Sequence, residues 1–150
     1  MRCFAAIVLF VTLTAGASSA QGSRSAFNWD ALGQEFCQRT LAGDMQGVAP
    51  LLTQSLRELL QAAAARAELP PARTLFQTYT NEVSDCTAAT RNAALVDIRR
   101  SNPGGSAPAW TDMLMITPEA DGGSRIDDVL FATRKSDTLR VRLEIYAGRR

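Results

Sequence analysis

Three hydrophobic patterns follow one another along the chain. Residues 3–13 (CFAAIVLFVTL) form an apolar run broken only by Thr12. The run falls short of the roughly 20 residues a membrane helix needs. From Trp29 onward the period becomes helical. Trp29, Leu32, Phe36, Cys37 and Leu41 recur at three- and four-residue steps, which predicts one helix with an apolar face. Asn28 is its expected N-cap. Gly43-Asp44 is expected to end it, with Asp44 capping a short turn through Val48. Leu52, Leu56, Leu59, Leu60, Ala63 and Ala67 form a second helical stripe. Thr53 and the Ser55-x-x-Glu58 box are alternative starts for it, and Leu69-Pro70-Pro71 stops it. Residues 72–91 carry Leu75, Phe76 and Tyr79 but no dominant period.

Beyond residue 94 the period shortens to two. Ala94, Val96 and Ile98 alternate with Leu95, Asp97 and Arg99, which predicts a strand. Residues 101–106 (SNPGGS) read as a loop. Residues 110–117 (WTDMLMIT) read as a central strand, apolar on both faces around Met113, Leu114, Met115 and Ile116. Asp121-Gly122-Gly123 is a turn, so residues 124–132 (SRIDDVLFA) should pair antiparallel. Residues 138–147 (TLRVRLEIYA) are ambiguous. Alternation of Leu139, Val141, Leu143 and Ile145 favours a strand, whereas Asp137 as an N-cap and the Leu139/Leu143 spacing favour a helix. Helices followed by antiparallel strands predict an α+β domain over residues 21–150, with about four strands.

The first pattern is an address. Met1-Arg2 precedes the apolar run, and Ala15-x-Ala17 and Ser18-x-Ala20 follow it as small-x-small cleavage sites. Residues 1–20 read as a cleavable signal peptide, cut near Ala20. A periplasmic or secreted location is therefore expected. Removing Arg2 leaves 15 basic and 15 acidic residues of the original 16 and 15. A net charge of zero argues against nucleic-acid binding through phosphates. Lysine occurs once, at Lys135, a bias that suggests a GC-rich bacterial genome. Cys3 leaves with the signal, so Cys37 and Cys86 remain. In an oxidising compartment an even pair is most simply a disulfide. Its alternative, a metal or redox pair, lacks C-x-x-C spacing and any histidine.

Histidine is absent altogether. That removes serine–histidine and cysteine–histidine catalysis, the usual zinc sites and the commonest base near neutral pH. No glycine-rich phosphate loop, G-x-S-x-G or S-x-x-K motif is present, and no cofactor is expected. Aspartate is left as the main acid–base candidate. Asp127 and Asp128 are adjacent on a strand and should face opposite sides. Two readings follow for the pair: one aspartate lines a pocket as a general base, or the carboxylate is structural, hydrogen-bonded to a turn or paired with Arg125 or Arg99. Tyr79, Asp97, Arg99, Trp110 and Asp112 are further pocket candidates, although a tryptophan placed like Trp110 is more often a strand-end core residue than an exposed binding aromatic. Asp97, Asp112 and Asp127 come from separate strands without a calcium-loop spacing, so no metal site is expected. The basic end, residues 134–150, reads either as a solvated terminus or as a contact for an anionic surface or partner.

Two strings resemble exported bacterial members of the nuclear-transport-factor-two-like superfamily, a cystatin-like cone of helices and curved sheet. One runs from Phe36 through Ala42-Gly43-Asp44 to Leu51-Leu52-Thr53-Gln54-Ser55-Leu56-Arg57. The other is Ser124-Arg125-Ile126-Asp127-Asp128-Val129, with serine where such proteins often carry tryptophan. The resemblance implies the cone fold and a helix after the last strand. For function it implies little, since the superfamily holds enzymes, binding modules and domains of unknown function. Two readings follow. The first is a non-catalytic binding protein for a small ligand or envelope protein, such as a toxin-neutralising immunity protein, with a homodimer through the sheet as one further arrangement. The second is a small isomerase- or hydrolase-like enzyme using a pocket aspartate. A deep cavity around a buried aspartate would favour the enzyme. A cone filled by Met113, Met115, Leu130 and Phe131 would favour the binding protein.

Overall fold

A computed structural model describes residues 29–79 and 82–149. The expected signal peptide, its cleavage site and the Asn28 cap lie outside them. Helix α1 spans Trp29–Ala42 and buries Leu32, Gly33, Phe36, Cys37 and Thr40, the face its period predicts. It ends as Gly43-Asp44 suggests. Gly43 adopts φ +74°, its N–H donates to Thr40 O, and Asp44 N–H donates to Arg39 O. These bonds satisfy the last carbonyls of the helix. Asp44 then caps α2 (Met45–Val48) by accepting from Gly47 N at 2.8 Å.

A short 3-10 turn over Ala49–Leu51 leads to α3 (Gln54–Arg66). Thr53, not Ser55, is its N-cap, and Leu56, Leu59, Leu60 and Ala63 form its buried stripe. The residues without a clear period resolve into α4 (Ala72–Leu75) and an unforeseen strand, β1 (Asp85–Asn92). Three more strands follow: β2 (Leu95–Ser101), β3 (Trp110–Pro118) and β4 (Ser124–Leu130). They form one open antiparallel sheet in the order β1-β2-β3-β4. The fold is thus α+β, helices first, as the two periods imply.

One sheet face meets the helices. Val96, Ile98, Leu114, Ile116, Ile126 and Val129 point into a core shared with Phe36, Leu56, Leu75 and Phe76. Strand β3 is therefore one-sided, contrary to its apolar sequence. Trp110, Asp112, Leu114 and Ile116 are buried, while Thr111, Met115 and Thr117 are exposed. Met113 and Met115 lie on the outer face and do not fill the interior; Phe131 does.

The last segment is helix α5 (Leu139–Tyr146), which corrects the strand pattern. Thr138, not Asp137, caps it by accepting from Val141 N. Leu139, Leu143 and Ala147 are buried, and this four-residue repeat packs on α3 and β4. Ile145 falls off that stripe and stays 58% exposed. A disulfide between Cys37 and Cys86, with Cα atoms 5.5 Å apart, ties α1 to β1. Among the described residues, no helix is long and apolar enough to cross a membrane.

Candidate functional site

The predicted site residues divide among three places. Asp112 is inside, at the end of the core where β3 begins, with no exposed surface. One Oδ accepts from Thr78 N at 3.1 Å. The other accepts from Ala132 N at 3.1 Å and from the Thr78 hydroxyl. The Arg100 guanidinium approaches to 3.5 Å. Arg100 is the buried cation of β2, and Arg99, the sequence candidate, faces solvent one residue away. Arg100 also donates to Phe76 O at 2.9 Å and lies against the Phe36 ring and Cys86 Sγ. Burial pushes its pKa down to about 10, against the opposing pull of Asp112. Asp112 thus joins four segments of chain and has no exposed surface.

Trp110 neighbours this cluster and is core, with Tyr79 packed edge-on against it at 4.8 Å. Tyr79 is 52% exposed. The indole N–H of Trp110 is buried without a partner.

Asp97 and Arg99 are on the outer face. They line a hollow of about 260 Å³ with Thr87 and Thr111. Asp97 is held by Arg91 at 2.7 Å. The core of the sheet separates these two from Asp112, so the seven candidates form no single constellation.

Asp127 and Asp128 sit by the start of α5. Met115 pairs with Asp128 and Ile116 with Ile126, so Asp127 is an extra, bulged residue. The bulge breaks the simple alternation of faces, and both carboxylates turn toward Arg140. Asp128 accepts from Arg140 N at 2.9 Å and from Val129 N at 2.8 Å. It therefore supplies the first turn of α5 with an acceptor and a negative charge. Asp127 takes the Arg140 side chain at 3.0 Å and the Thr53 hydroxyl at 3.1 Å. The proposed partners Arg125 and Arg99 are not used; Arg125 bonds Asp121.

Asp97, Asp112 and Asp127 are each occupied in a different place. Among the described residues, no group of three or more histidine, cysteine, aspartate or glutamate side chains is placed to hold a metal ion. The residues that sequence reasoning missed are Thr78, Arg100 and Arg140. The only sequence signal for Arg100 was its parity with Val96 and Ile98, which puts it on the inward face of β2. Compared with protein families, curated proteins and solved structures, the chain matches none.

Proposed function

We propose that this chain is an exported bacterial binding domain of the nuclear-transport-factor-two-like type, non-catalytic, acting in the periplasm or outside the cell. The export reading rests on the apolar run, the small-x-small sites and the Cys37–Cys86 bridge, a linkage that persists in oxidising compartments. The family reading is supported by helices before a four-stranded antiparallel meander. The Gly43-Asp44 turn and the Arg-Ile-Asp-Asp-Val string of β4 add to it.

The observation that carries the binding reading is the commitment of the aspartates to structural bonds. A general base needs a carboxylate that can reach substrate and exchange a proton. Asp112 has no accessible surface and is saturated by donors. Asp128 caps α5, and Asp127 grips Arg140. The isomerase or hydrolase reading has no comparable support.

Three measurements test this. The intact mass of the exported protein should begin at Gln21 or Ser18; a retained Met1 would overturn export. Native mass spectrometry of protein isolated from its own envelope should show a retained ligand or partner, kept by Asp127→Asn. Turnover of any substrate that disappears in Asp127→Asn would overturn the non-catalytic reading.

A further inference from the structure

The outer face of the sheet is mostly polar, with Thr87, Asp97, Arg99, Thr111, Thr117 and Arg125. An apolar island interrupts it. Met113 pairs with Leu130 across β3 and β4, and Met115 pairs with Leu95 across β3 and β2. Their other cross-strand neighbours are acidic, Asp97 beside Met113 and Asp128 beside Met115. Asp97 is neutralised by Arg91 at 2.7 Å, so the apolar patch is narrow and runs toward Leu130. Met115 is 38% exposed. At the β4 end the island deepens into a hollow of about 450 Å³ lined by Met113, Leu130, Phe131, Ala132, Arg134 and Lys135. That volume lies within the usual range for small-ligand sites, roughly 300–1,000 Å³.

The floor is fixed. Phe131 is buried, with the Arg142 guanidinium 3.5 Å above its ring. Arg142 is itself held by Asp137 at 2.9 Å and by the Gln77 carbonyl at 2.8 Å. The rim is cationic. Arg134 and Lys135 are exposed, and neither forms an ion pair among the described residues. Asp137, which feels Arg134, is already bonded to Arg142 and Thr133. Methionine walls adapt to flexible apolar chains.

We infer that this hollow binds a single-chain amphiphilic carboxylate, with the alkyl chain on Met113, Leu130 and Phe131 and the carboxylate at Arg134 and Lys135. The inference rests on the binding-protein reading and names its ligand class.

The test is a titration of the purified, disulfide-bonded protein with dodecanoate below its micelle concentration, read by ¹³C-methyl-methionine NMR. Met113 should shift and saturate, Met115 should respond more weakly, and Met45 on α2 should stay in place. Dodecyl maltoside, the uncharged counterpart, should bind at least about tenfold more weakly. Arg134→Glu with Lys135→Glu should weaken dodecanoate about tenfold and leave the maltoside unchanged. The neutral pair Arg134→Gln with Lys135→Gln should fall between. An unmoved Met113, equal shifts at Met45, or a Kd indifferent to the rim charges would overturn the inference. So would an acidic peptide that moves Met113 where dodecanoate does not. Any of these, with a retained envelope ligand mapped elsewhere, would leave the broader binding reading standing. Substrate turnover lost in Asp127→Asn would instead remove the broader reading alone.

Discussion

Replacing Asp112 by Asn would leave the Arg100 guanidinium buried without its countercharge. Loss of one partner of a buried pair typically costs about 3–5 kcal/mol, far more than an exposed pair contributes. Asp112→Asn should therefore lower the urea midpoint strongly. Arg100→Met combined with Asp112→Asn should cost less than the sum of the two single changes, because the residues share one interaction. Asp137 gives a second, pH-dependent case. The Arg142 hydrogen bond, helped by Thr133, holds its carboxyl below the ordinary value of 3.8. A depressed folded-state value means the stabilisation is complete above about pH 4 and drains away as pH falls through that lower value. Asp137→Asn should thus be less stable than the parent near neutrality, and the gap should narrow below about pH 4 in acid-melt curves. Little of this was legible at the residue level beyond the inward parity of Arg100. Asp112 takes its partners from Thr78, Arg100 and Ala132, and sequence spacing carries no sign of which distant donors meet one carboxylate. The Asp127 bulge is equally silent, since one unpaired residue leaves the apolar alternation of β4 nearly intact.

Among the elements, α1, α3 and β2 were legible because each has one period and a marked stop; β3 was legible as a strand, but its apolar run hid which face is buried. Strand β1 was not, and its reason is packing. Helix α1 crosses it so closely that a Cβ added to Gly33 would come within 2.7 Å of the Ala88 Cβ and 2.8 Å of Val96 Cγ1. A strand under that helix must carry small inward residues, here Cys86 and Ala88, so it lacks the bulky alternation that announces a strand. Glycine within a helix costs about 1 kcal/mol relative to alanine, and here close approach offsets it. Gly33→Ala should lower stability in spite of its better helix propensity, and Gly33→Val should lower it further, by about 1–3 kcal/mol from overpacking. Thermal melts of the two variants check the order. Helix α5 was misleading for the opposite reason. Its Leu-x-Val-x-Leu-x-Ile alternation fits a strand, but Thr138 and Asp128 satisfy its first amides and Leu139, Leu143 and Ala147 bury as a helical row. Ile145 is the residue left outside.

At the scale of the molecule, the Cys37–Cys86 disulfide cross-links helix α1 to the sheet across 49 residues of sequence. Closing a loop of that length is worth about 4 kcal/mol in the chain-entropy description. Cys37→Ala with Cys86→Ala should cost about 2–5 kcal/mol, and adding reductant should lower the urea midpoint of the parent but not of that double variant. The fold class and the pairing of the cysteines could be read from the sequence, because they follow from periodicity and parity. The dispersal of the acidic residues could not, because it depends on how the elements dock. On the β4 side of the sheet, Thr53 N bonds Ile126 O and Phe131 N bonds Asp137 O. On the β1 side, the Asp30 carboxylate takes the N–H and hydroxyl of Thr90. An unguarded strand border invites a neighbouring chain to add on. Asp30 occupies the outward donors of Thr90 on that border, and Asp30→Ala should shorten the lag before thioflavin-positive fibres appear in a concentrated solution.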